Sequence, residues 1–115
     1  MPNPKPGEIW LVRFPFSDLT YTKVRPAFVI ATHRQEAIIL GIFSKISSDS
    51  IGNTALLIET THPKFVQTGL LKTSLLRADK IATAHQSTFQ RQLGTLPSDF
   101  QPKLQVTIKQ TLNLT

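Results

Sequence analysis

The stretch Val24-Arg25-Pro26-Ala27-Phe28-Val29-Ile30 constrains this chain more than any other. A short apolar run of β-branched and aromatic residues reads as a buried strand. Proline lacks the amide proton that a central ladder position needs, so Pro26 is expected to open that strand rather than lie inside it. Its ring also pushes the preceding residue toward an extended backbone. Arg25 is therefore expected at the lip of a rigid β-structure, where a loop meets the sheet. A guanidinium held there offers five donors in a planar fork with a permanent charge, which suits phosphate recognition. Read as a residue alone, Arg25 is equally a surface arginine ending a loop.

The rest of the chain supplies the sheet. Glu8 to Phe14 is a first strand, with Ile9, Leu11 and Arg13 on one face and Trp10, Val12 and Phe14 on the other. Pro15 to Lys23 reads as a polar loop, Pro26 to Thr32 as strand two, and Ala37 to Ser44 as strand three. Ile46 to Asn53 is a loop and Thr54 to Thr60 a fourth strand. Leu75 to Arg77 and Lys80 to Ala84 form a fifth, broken or bulged at Ala78-Asp79. Ser87 to Leu93 reads as a short helix before Gly94. Ser98-Asp99-Phe100-Gln101 resembles a capping box, and Phe100, Leu104, Ile108 and Leu112 then recur at steps of four, one stripe of a C-terminal helix. The expectation is a single domain over residues 1–115, mainly β, a small barrel or half-open roll with a terminal helix. The helix stripe needs a surface to bury against, which a second copy of the chain would supply.

Charge and composition narrow the chemistry. The 115 residues carry 13 Lys+Arg against 7 Asp+Glu, a formal net charge of +6. That excess favours a polyanionic partner, nucleic acid foremost, although an acidic protein fits the charge equally well. Cysteine is absent, which removes disulfides, thiolate nucleophiles and the usual zinc sites. The N-terminal Met1 to Gly7 has no apolar core of a secretory signal, and no apolar stretch approaches the ~20 residues of a membrane span. A cytoplasmic protein with no membrane partner is expected. His33, His62 and His85 show no metal-ligand spacing and read as exposed histidines. There is no glycine-rich phosphate loop, no nucleophile elbow and no acidic cluster for Mg²⁺, so neither a metal nor a cofactor is expected.

Two further groups could carry chemistry. In Lys72 to Lys80, Ser74, Arg77, Asp79 and Lys80 cluster, and in an extended chain Arg77 and Asp79 point to the same face. Such a pair holds the carboxylate ionised or stabilises charge developing on phosphorus. Read from the residues alone, a structural ion pair at a strand edge is the preferred account. Ser44 ends strand three, and Ser47 and Ser48 continue a hydroxyl-rich loop that could meet phosphate or a base edge, or could simply turn the chain.

Taken in order, these pieces resemble the PemK/MazF family of toxins. Gly7-Glu8-Ile9-Trp10-Leu11-Val12, Phe14-Pro15-Phe16-Ser17-Asp18 and Arg25-Pro26-Ala27-Phe28-Val29 match its first half. Gly69-Leu70-Leu71-Lys72-Thr73-Ser74, Arg77-Ala78-Asp79-Lys80-Ile81 and Leu93-Gly94-Thr95-Leu96 resemble its second. The resemblance implies an SH3-like β-barrel with a C-terminal helix, assembled as a homodimer. It implies the toxin of a type II toxin–antitoxin pair: an endoribonuclease that cuts single-stranded messenger RNA without metal, through attack of the 2′-hydroxyl on its own phosphate. The partner it implies is an acidic antitoxin, with which the toxin forms a DNA-binding complex. It implies Arg25 as the residue that binds the scissile phosphate and Ser44 as the catalytic hydroxyl at the end of strand three, with Arg77 and Asp79 as acid and base in one branch of the family while other branches lean on the arginine and hydroxyl pair. It places Thr20, Tyr21, Thr22 and Lys23 in an RNA-contacting loop, with Ser47, Ser74 and Lys80 as further RNA-binding candidates. Because arginine is a poor proton donor at a pKa above about 12, an electrostatic role is preferred for Arg25. Two other classes remain on the same barrel: a CcdB-like inhibitor of a protein such as gyrase, and a basic module that binds nucleic acid without cutting it.

Overall fold

The computed structural model describes residues 2–14, 23–46 and 52–114. Six strands form one antiparallel sheet: β1 (Glu8–Phe14), β2 (Lys23–His33), β3 (Glu36–Phe43), β4 (Ala55–Ile58), β5 (Ser74–His85) and β6 (Phe89–Thr95), in the order β4-β5-β3-β2-β1-β6. The edge strands β4 and β6 are not paired with each other. A one-turn helix α1 (Phe65–Thr68) precedes β5, and helix α2 (Gln101–Thr111) ends the fold. The mainly β class with a C-terminal helix is as the sequence led us to expect. Among the described residues no helix is long and apolar enough to cross a membrane.

Alternation along the strands sorts the side chains into two apolar clusters. Ile9, Phe28, Leu40, Ile42, Leu56, Ile58, Leu76 and Ala78 bury on one face, where Leu70, Leu96, Phe100 and Leu104 close over them. Trp10, Val12, Ala27, Val29, Ala37, Ile39, Ala84 and Phe89 bury on the other. The period of two read in the first strand thus holds, with Ile9 and Trp10 on opposite sides. The stripe on α2 is spent largely inside the chain. Phe100 and Leu104 are core residues and Ile108 packs against them, while Leu112 is 45% exposed. Burial of this stripe therefore supplies no argument for a second copy, because the chain's own sheet already covers its first turns.

Four local expectations change. β2 begins at Lys23, so Arg25 and Pro26 lie inside it, paired with Val12 and Leu11 of β1. β3 joins β2 only from Ala27 onward. At Pro26 the strand therefore has one partner and one open side, the situation in which a missing amide proton is tolerated. Residues 89–95 are strand, not helix, because pairing with β1 decides their state. Phe89 sits opposite Val12 and meets the Trp10 ring edge-on, at 5.8 Å and 79°. The Ser98 capping box does not form; a 3-10 turn (Ser98–Phe100) leads into α2 with Pro102 in its opening turn, where its missing proton costs nothing. Asp99 in that turn instead binds His62 Nε2 at 2.7 Å. Finally, α1 has no counterpart in the sequence reading. It is held by Thr68, whose hydroxyl donates to the Phe65 carbonyl and accepts the Leu70 amide.

The bulge foreseen in the fifth strand is present. Leu40 pairs with Ile81 and the adjacent Gly41 with Arg77, so Ala78, Asp79 and Lys80 are looped out of the β3 ladder. The turn after α1 lies hard against β6. Gly69 ends α1 at φ 72°, and a Cβ there would come within 2.0 Å of the Leu93 carbonyl oxygen. A Cβ on Gly94 would fall 2.1 Å from the Gln67 carbonyl oxygen. Two glycines, one on each segment, thus permit a backbone contact that builds one wall of the site described next.

Candidate functional site

The site lies at one end of β1, β2, β3 and β5. On the face of the second cluster, Val12 pairs with Arg25, and Gly41 pairs with both Ala27 and Arg77. Gly41 puts no side chain between its neighbours. Phe43, the last residue of β3, lies two places on along that face. Its ring collects both arginines: the guanidinium carbon of Arg25 is 5.2 Å from the ring centroid and that of Arg77 is 5.7 Å. Both distances fall within the range in which a cation is attracted by an aromatic quadrupole.

The two arginines differ in what else they touch. Arg77 donates from Nε to Asp79 Oδ1 at 3.1 Å and from Nη2 to Oδ2 at 2.6 Å, a bidentate fork. The bulge lets residues two apart meet in this way. Hydrogen bonding to Arg77 is the main reason the Asp79 carboxyl sits below its ordinary pKa; partial burial opposes it, and the charges of Arg77 and Lys80 assist it. The same bond raises Arg77 above its already high value. The pair is part-exposed, with 29% and 34% of the side-chain surfaces accessible. Among the described residues no carboxylate pairs with Arg25.

The opposite face carries an open groove of about 630 Å³. Its floor is apolar, built from Leu11, Pro26, Ile42, Leu70 and Leu93, and Arg25, Lys72 and Arg91 bring positive charge to it. The Gly69–Lys72 segment forms the wall that the glycine contact makes possible. Ser44 and Ser74 line it as well. Ser74 is buried and its hydroxyl donates to the Lys72 carbonyl at 2.8 Å, so that side chain serves the loop. Ser44 is exposed. Arg25 is thus shared: its guanidinium rests over Phe43, and the same residue lines the groove.

The structure brings together Arg25, Arg77 and Asp79, puts Ser44 on the groove side, and leaves Lys80 next to Asp79 at the bulge. Lys23 is exposed at the start of β2. Thr20, Tyr21, Thr22 and Ser47 lie outside the described residues. Phe43, Lys72 and Arg91 were missed by sequence reasoning. Phe43 carried a usable signal, an aromatic at the strand end beside Ser44. Lys72 and Arg91 converge only because α1 folds back onto β6. Among the described residues no three histidine, aspartate or glutamate side chains cluster.

An antiparallel sheet with a terminal helix, a cationic groove and a paired arginine–aspartate define a small basic β protein. Its identity follows from comparison. Residues 5–112 match the family described as PemK-like, MazF-like toxin of type II toxin-antitoxin system, and the chain belongs to that family. Solved structures share the fold. The Mycobacterium tuberculosis toxin MazF-mt6 superposes with a TM-score of 0.74 at 18% identity, covering 94% of this chain and 98% of that one. An endoribonuclease in complex with its cognate antitoxin, from a mycobacterial species, gives 0.72 at 16% identity over 98% of both chains. A MazE-MazF structure from Deinococcus radiodurans gives 0.65 at 18% identity, over 97% of this chain and 98% of that chain. Among curated proteins none matches the sequence significantly.

Proposed function

We propose that this toxin-family chain is a cytoplasmic, metal-independent endoribonuclease that cuts single-stranded messenger RNA at selected sequences. The observation that carries the reading is Arg25: a guanidinium with no carboxylate partner among the described residues, fixed in a strand, shared between an aromatic shelf and a basic groove. In this reading the substrate's own 2′-hydroxyl attacks the adjacent phosphorus. The 5′-oxygen leaves and takes up a proton from water, giving a 2′,3′-cyclic phosphate and a 5′-hydroxyl. Arg25 neutralises the charge that builds on the phosphoryl oxygens, which is worth most where donors are already in place. Asp79, ionised and aligned by Arg77, is the candidate to accept the 2′-hydroxyl proton. Ser44 donates to a phosphate or base edge from the groove side.

The same surface suits the expected partner. An apolar floor with three cations around it fits an acidic segment carrying apolar anchors, so an antitoxin tail and RNA would compete for one place. A homodimer is part of the proposal and rests on the family.

The test is incubation with a mixed-sequence single-stranded RNA in EDTA. Cleavage at recurrent short motifs leaving cyclic-phosphate ends is expected, with a 2′-deoxy sugar at the cut position blocking it. Binding without cutting would instead identify a nucleic-acid-binding module, and gyrase-dependent DNA damage a CcdB-like inhibitor.

A further inference from the structure

We propose that Phe43 is a positioning residue that orders Arg25 for the substrate anion and ties it to the Arg77–Asp79 pair. The inference deepens the ribonuclease reading and rests on it for its kinetic arm alone. Phe43 ends the central strand of the three that meet here, flanked by β2 with Arg25 and β5 with Arg77. Its ring is half-buried, yet it belongs to neither apolar cluster. Its contacts of note are two guanidiniums, at 5.2 and 5.7 Å.

Elementary electrostatics says why a ring belongs there. Two positive charges brought to one strand end repel, and each arginine has a long flexible side chain to swing away with. The negative face of an aromatic ring attracts both and offsets part of that repulsion without neutralising either charge. A carboxylate in the same place would hold the arginines but cancel the field they offer an anion. Asp79 does this to Arg77; nothing comparable among the described residues does it to Arg25. Phe43 therefore orders Arg25 while leaving its charge and its fork available, and it ties that order to the Arg77–Asp79 pair.

The experiment combines kinetics with side-chain NMR on full-length protein. In wild type, the Nε–Hε groups of Arg25 and Arg77 are expected to be ordered, shifted upfield by the ring current, and to show cross-relaxation to the Phe43 ring. In Phe43→Leu both shifts collapse and Arg25 becomes mobile. The variant keeps an apolar strand residue but loses the quadrupole, so kcat on RNA is expected to fall about tenfold with KM within about twofold, the signature of lost orientation. Phe43→Tyr, which keeps the ring face, restores most of that rate. Unchanged arginine shifts and order in Phe43→Leu would overturn the proposal. So would equal impairment by Leu and Tyr, which marks a merely structural residue. If Phe43→Leu fails to fold, the wild-type cross-relaxation decides, and its absence refutes the contact. If wild type does not cut RNA at all, the ribonuclease reading fails while the NMR arm still judges Phe43.

Discussion

Arg25 and Arg77 rest against one ring, on strands that flank the same neighbour, and the chain treats them differently. Arg77 is committed: Asp79 takes two of its donors, and the pair as a whole is neutral. Arg25 has no carboxylate partner among the described residues and also borders a groove with two further cations. A neutral, forked pair has little long-range attraction for an anion, but it holds an ionised carboxylate at a fixed angle. An unpaired guanidinium does the reverse. The comparison teaches that the basic residues of this site are not a uniform patch: one side carries a guanidinium with no carboxylate partner among the described residues, the other a carboxylate held in a fork by its arginine.

The sharpest way to break that comparison is to remove each arginine in turn. Arg25→Ala is expected to lower RNA cleavage by ~10²–10³, the usual cost of deleting a donor to transition-state charge. Its side chain belongs to neither apolar cluster, so the melting temperature should move little. Arg77→Ala, which removes a charge already paired, should cost roughly a tenth as much in rate. Equal losses from the two variants, measured as kcat/KM on one RNA, would erase the distinction.

The next test concerns Asp79 and pH. Its pKa is lowered in the folded chain, chiefly by hydrogen bonding to Arg77, so it is ionised throughout the neutral range. Asp79→Asn is therefore expected to lower the rate about tenfold, by the same factor at every pH from about 5 to 8. A loss that shrinks toward the acid end would mean the wild-type carboxyl is protonated there and is not held as described. The sign for stability follows from linkage. A depressed carboxyl stabilises the fold above its unfolded value of about 3.9, and that contribution disappears as pH falls through the lower folded value. Wild type should thus exceed Asp79→Asn in stability at pH 7, modestly because the pair is part-exposed, and the difference should close below about pH 4.

The asymmetry was only partly legible in the sequence. The Arg77–Asp79 pair could be read, since a spacing of two on an extended chain is a local relation, and so could the bulge that accommodates it. Arg25 could be singled out because Pro26 fixes its backbone. Its place inside β2 could not, because that depends on β3 stopping short of Pro26, a fact about pairing across the sheet. The groove was illegible for the same reason. Its wall exists because Gly69 and Gly94 let two backbones touch, and residues 89–93, within the Ser87–Leu93 stretch read as a short helix, become strand through pairing with β1. The local partner of Ser74 was not legible either: its hydroxyl donates to the Lys72 carbonyl while the residue lines the groove.

The smallest effect expected is also the one that tests where the division falls. Ser44 follows directly on Phe43 yet lines the groove with Arg25, and the groove lining does not include Arg77 or Asp79. It is exposed, so water can replace its hydroxyl at a phosphate or base edge with little enthalpic loss. Ser44→Ala should then weaken RNA cleavage only about threefold to tenfold, mainly through KM, because an interaction made equally in ground and transition states is lost from binding. Ser44→Thr keeps the hydroxyl and should remain within about twofold of wild type. Steady-state kinetics on a short RNA containing one cleavage motif separates these outcomes. A loss in kcat as large as that of Arg25→Ala would mean that the hydroxyl meets the reacting phosphate itself. The reactive centre would then lie on the groove side of β3, with Arg77 and Asp79 reduced to an ion pair that braces the ring from behind.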